Sequence, residues 1–204
     1  MINSGVMDLR SGRLALVAAL VALTGGEVQI AAQRAAASGP PIPYEDIGAC
    51  PFEGCVYRDW TANSPVTVLT DRRDGSPVAF TLAKGDHVMA ITGMVITTKP
   101  GRVRFKNAAE FSSSAGTLRV TPEDTLYLLT YHGEGETTAW FKGRLYDWVD
   151  GSEFFNGLCQ GYRVCNGTIV DKPQTVWWVR LRSRQGLTGW TKEPEKFDNK
   201  DRFG

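Results

Sequence analysis

The sequence predicts an all-β protein, a small barrel or sandwich, preceded by an N-terminal export signal. Three observations carry this. Short segments rich in β-branched and aromatic residues recur along most of the chain, each bounded by Gly, Pro, Asn or Asp turn signals. No stretch sustains the apolar period of a long helix. Composition also breaks sharply near residue 37: of the 204 residues, all 9 Phe, 6 Trp and 6 Tyr lie beyond that point.

The leader comes first in the chain. Arg10 and Arg13 precede an apolar run, Leu14–Leu23, that is too short for the ~20 residues needed to span a bilayer. Basic residues before such a run and small residues after it fit a signal peptide over 1–37. Ala35-Ala36-Ala37 offers a cleavage site, Thr24-Gly25-Gly26 a nearer one, and Met7 an alternative start. The competing reading, a buried helix, lacks a polar face at helical spacing. Ile47-Gly48-Ala49-Cys50 has the form of a lipidation box but does not end the apolar run. The mature protein is therefore expected in the periplasm or outside the cell, without a stable membrane span. Residues 38–48, with Gly39-Pro40-Pro41-Ile42-Pro43, read as a stiff linker.

A first set of strands follows: Val56–Trp60, Val66–Thr70, Val78–Leu82, His87–Thr97 and Val103–Phe105. Asn107–Ser114 reads as one helical turn or a loop. A second set comprises Leu118–Val120, Thr125–His132, Thr137–Trp148, Val176–Arg182 and Thr188–Thr191, with a long excursion over 150–173. The two sets share an internal repeat. Thr81–Thr92 overlays Arg119–Thr130, matching Leu82 to Val120, Asp86 to Asp124 and Val88 to Leu126. Each copy reads strand, charged turn, strand.

Four cysteines fall in two close pairs, Cys50 with Cys55 and Cys159 with Cys165. An oxidising compartment turns paired thiols into disulfides. Of three connectivities, local pairing is expected, because Pro51, Gly54 and Gly161 place turn formers inside the pairs. The rival, one zinc held by four thiolates, lacks the usual C-x₂-C spacing.

Leu82-Ala-Lys-Gly-Asp-His-Val88 resembles the L-x-x-G-[DE]-x-V turn of bacterial SH3-like domains. Trp178–Trp190 resembles their closing hairpin, a Trp-led strand followed by G-x-x-G-W. Together these stretches cover roughly twenty residues. The resemblance implies small five-stranded barrels with a binding role, often for cell-wall peptides or protein partners. The opening turn and closing hairpin lie almost ninety residues apart. The expectation is therefore two SH3-like barrels in tandem: one over 49–108, and one over 115–194 with a disulfide-bearing insertion at 150–173. Residues 195–204 read as a polar tail.

Charge narrows the partners. The formal net charge is +1, and residues 38–204 carry as many acidic as basic side chains. Such a chain lacks the basic field that phosphate backbones require, so nucleic acid is not an expected partner. No cofactor or metal motif is present, and no nucleophile motif such as G-x-S-x-G. His87 follows a turn and reads as a surface residue. Asp147, Asp150 and Glu153 carry calcium-type oxygens without EF-hand spacing, and read as a turn. The aromatics are the functional lead. One of Trp177 and Trp178 must face outward on a strand. Trp178 packed inward leaves Trp177 exposed, in a groove with Tyr131, Trp140 and Tyr146. The expected function is a non-catalytic envelope module binding a cell-wall peptide or an envelope protein. One alternative is a small hydrolase or enzyme subunit using His132 with Glu134 or Glu136 in a glycine-rich loop. Another is a structural or inhibitory accessory protein.

Overall fold

The computed structural model describes residues 39–155 and 165–203; the expected signal peptide and Cys159 lie outside them. The protein is all-β, built of curled antiparallel sheets with one short helix. Five strands come first: β1 (Tyr44–Ile47), β2 (Asp59–Ala62), β3 (Val66–Leu69), β4 (Val78–Leu82) and β5 (His87–Lys99). Next are β6 (Gly101–Phe105), β7 (Ala109–Phe111), β8 (Leu118–Val120), β9 (Thr125–Gly133), β10 (Glu136–Phe141) and β11 (Arg144–Asp150). The helix α1 (Ser152–Phe155) and β12 (Gly167–Asp171) precede the last three strands. These are β13 (Gln174–Arg182), β14 (Thr188–Thr191) and β15 (Phe197–Asp198).

Sheet membership departs from chain order. The first sheet runs β15-β2-β5-β13-β14-β3-β4, with β1 also on β5. The second runs β11-β10-β9-β6-β12, while β7 and β8 pair with each other. The closing hairpin β13–β14 therefore joins β5 and β3 instead of the strands that immediately precede it. Leu181 lies opposite Ala90, Arg182 opposite Met89 and Trp190 opposite Leu69. This corrects the expected division into 49–108 and 115–194: residues 101–171 supply a second sheet between two adjacent strands of the first. The reason is physical. β5 runs for 13 residues, and along its C-terminal half β1 takes one edge and β13 the other.

Two apolar cores match the two sheets. Trp60, Val68, Val88, Val179, Leu181 and Phe197 centre the first; Val103, Phe105, Leu126, Leu128, Ala139 and Val149 centre the second. Burial along β5 shows where they meet. It alternates from His87 to Ala90, then becomes nearly continuous from Gly93 to Val95, as expected of a strand covered on both faces. The Thr97 hydroxyl, fully buried, donates to the Leu129 carbonyl across the junction, 3.1 Å.

Several local expectations change. The linker 38–48 contains β1, whose exposed and part-buried residues alternate on a sheet edge. Asn107–Ser114 holds strand β7 rather than a helical turn, with Phe111 buried in the second core. The single strand expected over 137–148 is two, because Lys142 (φ 48°) and Gly143 (φ 81°) form a tight hairpin turn between β10 and β11. The excursion 150–173 carries β12, paired to β6. The tail is anchored: Phe197 is fully buried, and Arg58 donates to the carbonyls of Asn199 and Asp201.

The internal repeat has a structural cause. Asp86 accepts from the Ala83 amide at 2.7 Å, and Asp124 accepts from the Thr121 amide at 2.9 Å. Each aspartate closes its own turn, a local device that uses the side chain as a backbone partner. The strands after the two turns, β5 and β9, lie in different sheets.

Candidate functional site

A cleft opens beside the loop after β1, which forms its first wall. Cys50 and Cys55 are disulfide-bonded, with Cα atoms 5.6 Å apart. Cys165 is disulfide-bonded too; its expected partner, Cys159, falls outside the described residues. The Cys50–Cys55 loop rests on the first sheet through Tyr57, whose hydroxyl donates to the Ala49 carbonyl and receives a hydrogen bond from Trp177 Nε1 at 3.2 Å. Burial pushes the Tyr57 hydroxyl up to about 12. A side chain at Gly93 would collide with both groups, so glycine at that position lets the network close.

The opposite wall is the turn from β9 to β10. Gly133 (φ 103°) comes so close to the disulfide loop that an added Cβ would lie 2.6 Å from the Glu53 amide nitrogen. That position demands glycine twice, for conformation and for space. Between the walls lies a cavity of about 610 Å³, lined by Ile47, Phe52, Glu53, His132, Glu134, Glu136, Trp148, Arg202 and Phe203 among others.

His132 sits behind this cleft with only 10% of its side chain exposed. Its Nε2 lies 2.9 Å from the Thr138 hydroxyl, which reaches Asp147 Oδ1 at 3.2 Å. A hydroxyl has one proton. With that proton directed to Asp147, Thr138 accepts from the His132 Nε2–H. Asp46 Oδ2 lies 3.6 Å from the same nitrogen. Burial is the main cause that lifts the Asp46 carboxyl above the usual carboxylate range; Thr130 and His132 oppose the lift, and Asp147 adds to it. Asp46 Oδ2 and Thr130 Oγ1 are nonetheless buried without a hydrogen bond of normal geometry. Tyr44, on the same strand as Asp46, is pushed up to about 12 by burial and by the charges of Asp46 and Asp147.

Trp148 covers the histidine. The two rings stack at 4.7 Å between centroids with 30° between planes. Asp147 and Trp148 together face Thr138, since pairing slips between Thr137–Val149 and Ala139–Tyr146. This is a β-bulge, and bulges re-aim side chains. Trp148 carries φ 54°, a conformation that costs a non-glycine residue roughly 1–3 kcal/mol. Trp148 is 51% exposed.

The residues expected to form the groove are placed elsewhere. None of Tyr131, Trp140, Tyr146 and Trp177 lines the cleft. Tyr131 packs against Phe155 in a tilted pair at 4.9 Å, Tyr146 packs on the second core beneath the Arg144 guanidinium, and Trp140 is half-buried on β10. Trp177 corrects the expected outward placement. It packs edge-on against Trp60 and Phe52 beside the first core, while Trp178 is 4% exposed under Lys192. Parity along β13 explains it: Trp177, Val179 and Leu181 share the face that builds the first core. The loop of the alternative reading does come together. His132, Glu134 and Glu136 all line the cleft, though no hydrogen bond joins the histidine to either glutamate. His87 is surface-placed as expected, with Nδ1 3.0 Å from Asp59. Asp150 serves the local turn by accepting from the Ser152 amide, whereas Glu153 ties α1 to β12 by accepting from the Gly167 amide.

Sequence reasoning missed Trp148, Ile47, Phe52 and Phe203. The local signal of a bulge is the broken alternation of β11, where Leu145-Tyr146 and Trp148-Val149 set apolar residues side by side. Comparison with protein-family models, with curated proteins and with solved structures finds no match to this chain. Among the described residues, no helix is long and apolar enough to cross a membrane.

Proposed function

We propose that this chain is a non-catalytic binding module of the cell envelope, and that its ligand seat is the cleft between the disulfide loop and the β9–β10 turn. One observation carries the reading. Ile47, Trp148 and Phe203 are 77%, 51% and 73% exposed, and all three border one cavity. Large apolar side chains left in water around a single concavity mark an interaction site. The strained backbone of Trp148 adds to it, since a side chain held outward at an energetic cost is more often functional than structural.

The ligand is an extended peptide segment, from the wall or from a partner protein. Export through the 1–37 leader and an oxidising compartment are part of the same reading, supported by the disulfide. So is an SH3-like architecture for the first sheet. The two stretches that carry the resemblance, Leu82–Val88 and Trp178–Trp190, belong to this one sheet, with residues 100–173 as an insertion. A hydrolytic role fits less well: no hydrogen bond joins His132 to Glu134 or Glu136, and Trp148 stacks on the face of the imidazole.

Titration of the protein with solubilised peptidoglycan fragments, followed by tryptophan fluorescence, tests the reading. A saturable change that disappears in Trp148→Ala supports it. The reading falls if no fragment alters the signal and the protein retains no envelope protein in a pull-down that Trp148→Ala would weaken.

A further inference from the structure

The cleft has a charge pattern that narrows its ligand. Resting on the reading of the cleft as a peptide seat, we infer that it takes a lysine-type side chain, with the methylene stem along Trp148 and Phe203 and the ammonium among Glu53, Glu134 and Glu136. The three carboxylates come from both walls, Glu53 from the disulfide loop and Glu134 and Glu136 from the β9–β10 turn. None of them takes part in the ion pairs among the described residues, where acidic side chains elsewhere meet Arg72, Arg73, Arg102, Arg119, Lys142, Lys192 and Lys196.

Desolvation makes the argument. A purely apolar ligand seated on the aromatic rim would strip water from three carboxylates and return no donor, and an ionised group buried unpaired is costly. An ammonium carries three N–H donors on a compact, rotatable head, so one such group can donate to more than one carboxylate. Its flexible stem suits the apolar rim, because lysine lays its methylenes along apolar surface while its head stays polar. Trp148 and Phe203 also offer π faces that attract a cation. Among the described residues, Arg202 is the one Lys or Arg side chain lining the cleft, so the three carboxylates outnumber it and leave room for a further positive charge.

The test is a calorimetric titration of the purified full-length chain with an acetylated, amidated glycyl-lysyl-glycine peptide and with its norleucine counterpart. The lysine peptide is expected to bind saturably and at least about tenfold more tightly. Affinity should fall as salt rises, through screening. The Glu134→Gln/Glu136→Gln double variant should lose about tenfold for the lysine peptide and nothing for the norleucine one. Equal affinity for the two peptides, or a salt-independent lysine affinity, overturns the inference and leaves the peptide seat standing. No binding of either peptide also overturns it. Whether the peptidoglycan titration and the pull-down fail as well then decides if the binding-module reading falls with it.

Discussion

At the scale of single residues, the chemistry of the junction is concentrated on Asp46. Its carboxyl is raised above the ordinary range mainly by burial, and its Oδ2 lacks a normal hydrogen bond. The groups facing it are Tyr44, Tyr57, Thr130, His132 and Asp147. A carboxyl whose pKa is higher folded than unfolded opposes folding once ionised. The penalty is present in full above the folded pKa and fades as pH falls through that value toward the unfolded one. Asp46→Asn never ionises. It should therefore be more stable than the parent at pH 7, by about 1 kcal/mol at the low end of what an unsatisfied buried group costs. The gap should close on acidification below the raised pKa. Urea melts of both proteins at pH 7 and pH 4 check this; a gap that widens at low pH would refute it. Sequence reasoning had singled out His132, because a histidine among glycines and carboxylates is visible locally. It had no means of finding Asp46, which reaches the site from a strand more than eighty residues earlier. Nor could it place Trp148 over the imidazole, since that depends on a bulge in a hairpin read as one continuous strand.

At the scale of elements, the Cys50–Cys55 loop is a wall of the cleft more than a brace for the fold. A disulfide closing so few residues removes little chain entropy, on the order of 2 kcal/mol. The loop is held independently by Tyr57 on Ala49 and by the close approach of Gly133. Cys50→Ser/Cys55→Ser should consequently keep its fold and lose about 2 kcal/mol of stability, while ligand affinity at the cleft drops by about tenfold as Phe52 and Glu53 lose their fixed positions. Thermal melts alongside the peptidoglycan titration separate the two effects. Collapse of the fold, or unchanged affinity, would contradict this division. Most strands were legible at this scale because turn chemistry is local. Asp86 and Asp124 close equivalent turns 38 residues apart, and the match between them was real. Its meaning was not legible: the equivalent turns lead into strands of different sheets, so a shared turn does not imply a shared domain. Phe197 was hidden for a similar reason, as one aromatic among charged residues resembles a tail until its place in the first core is seen.

At the scale of the whole molecule, the architecture follows from where β5 ends. Lys99 and Gln174 are paired neighbours on β5 and β13, so residues 100–173 leave and re-enter the first sheet at adjacent points. Sequence separation concealed this. Nothing local to Trp178–Trp190 tells it to pair with a strand some ninety residues earlier instead of the one just before it. The only hint was that the opening turn lacked a nearby closing hairpin. The geometry makes a direct prediction. Replacing 100–173 with Asn-Gly, a two-residue turn suited to antiparallel strands, should join β5 to β13 as a hairpin and let the first sheet fold alone. The first core stays intact in such a protein, since Trp60, Val68, Val88, Val179, Leu181 and Phe197 all lie outside the excised segment. The face of β5 around Val95 and Thr97 loses its cover, along with the hydrogen bond to Leu129. The shortened protein should therefore retain near-ultraviolet circular dichroism from its packed tryptophans and unfold cooperatively in urea, but at a lower midpoint than the parent. It should also lose the cleft, because His132, Glu134, Glu136 and Trp148 all leave with the insertion. A non-cooperative melt without near-ultraviolet signal would mean that the second sheet is required to fold the first, and that the two form a single folding unit.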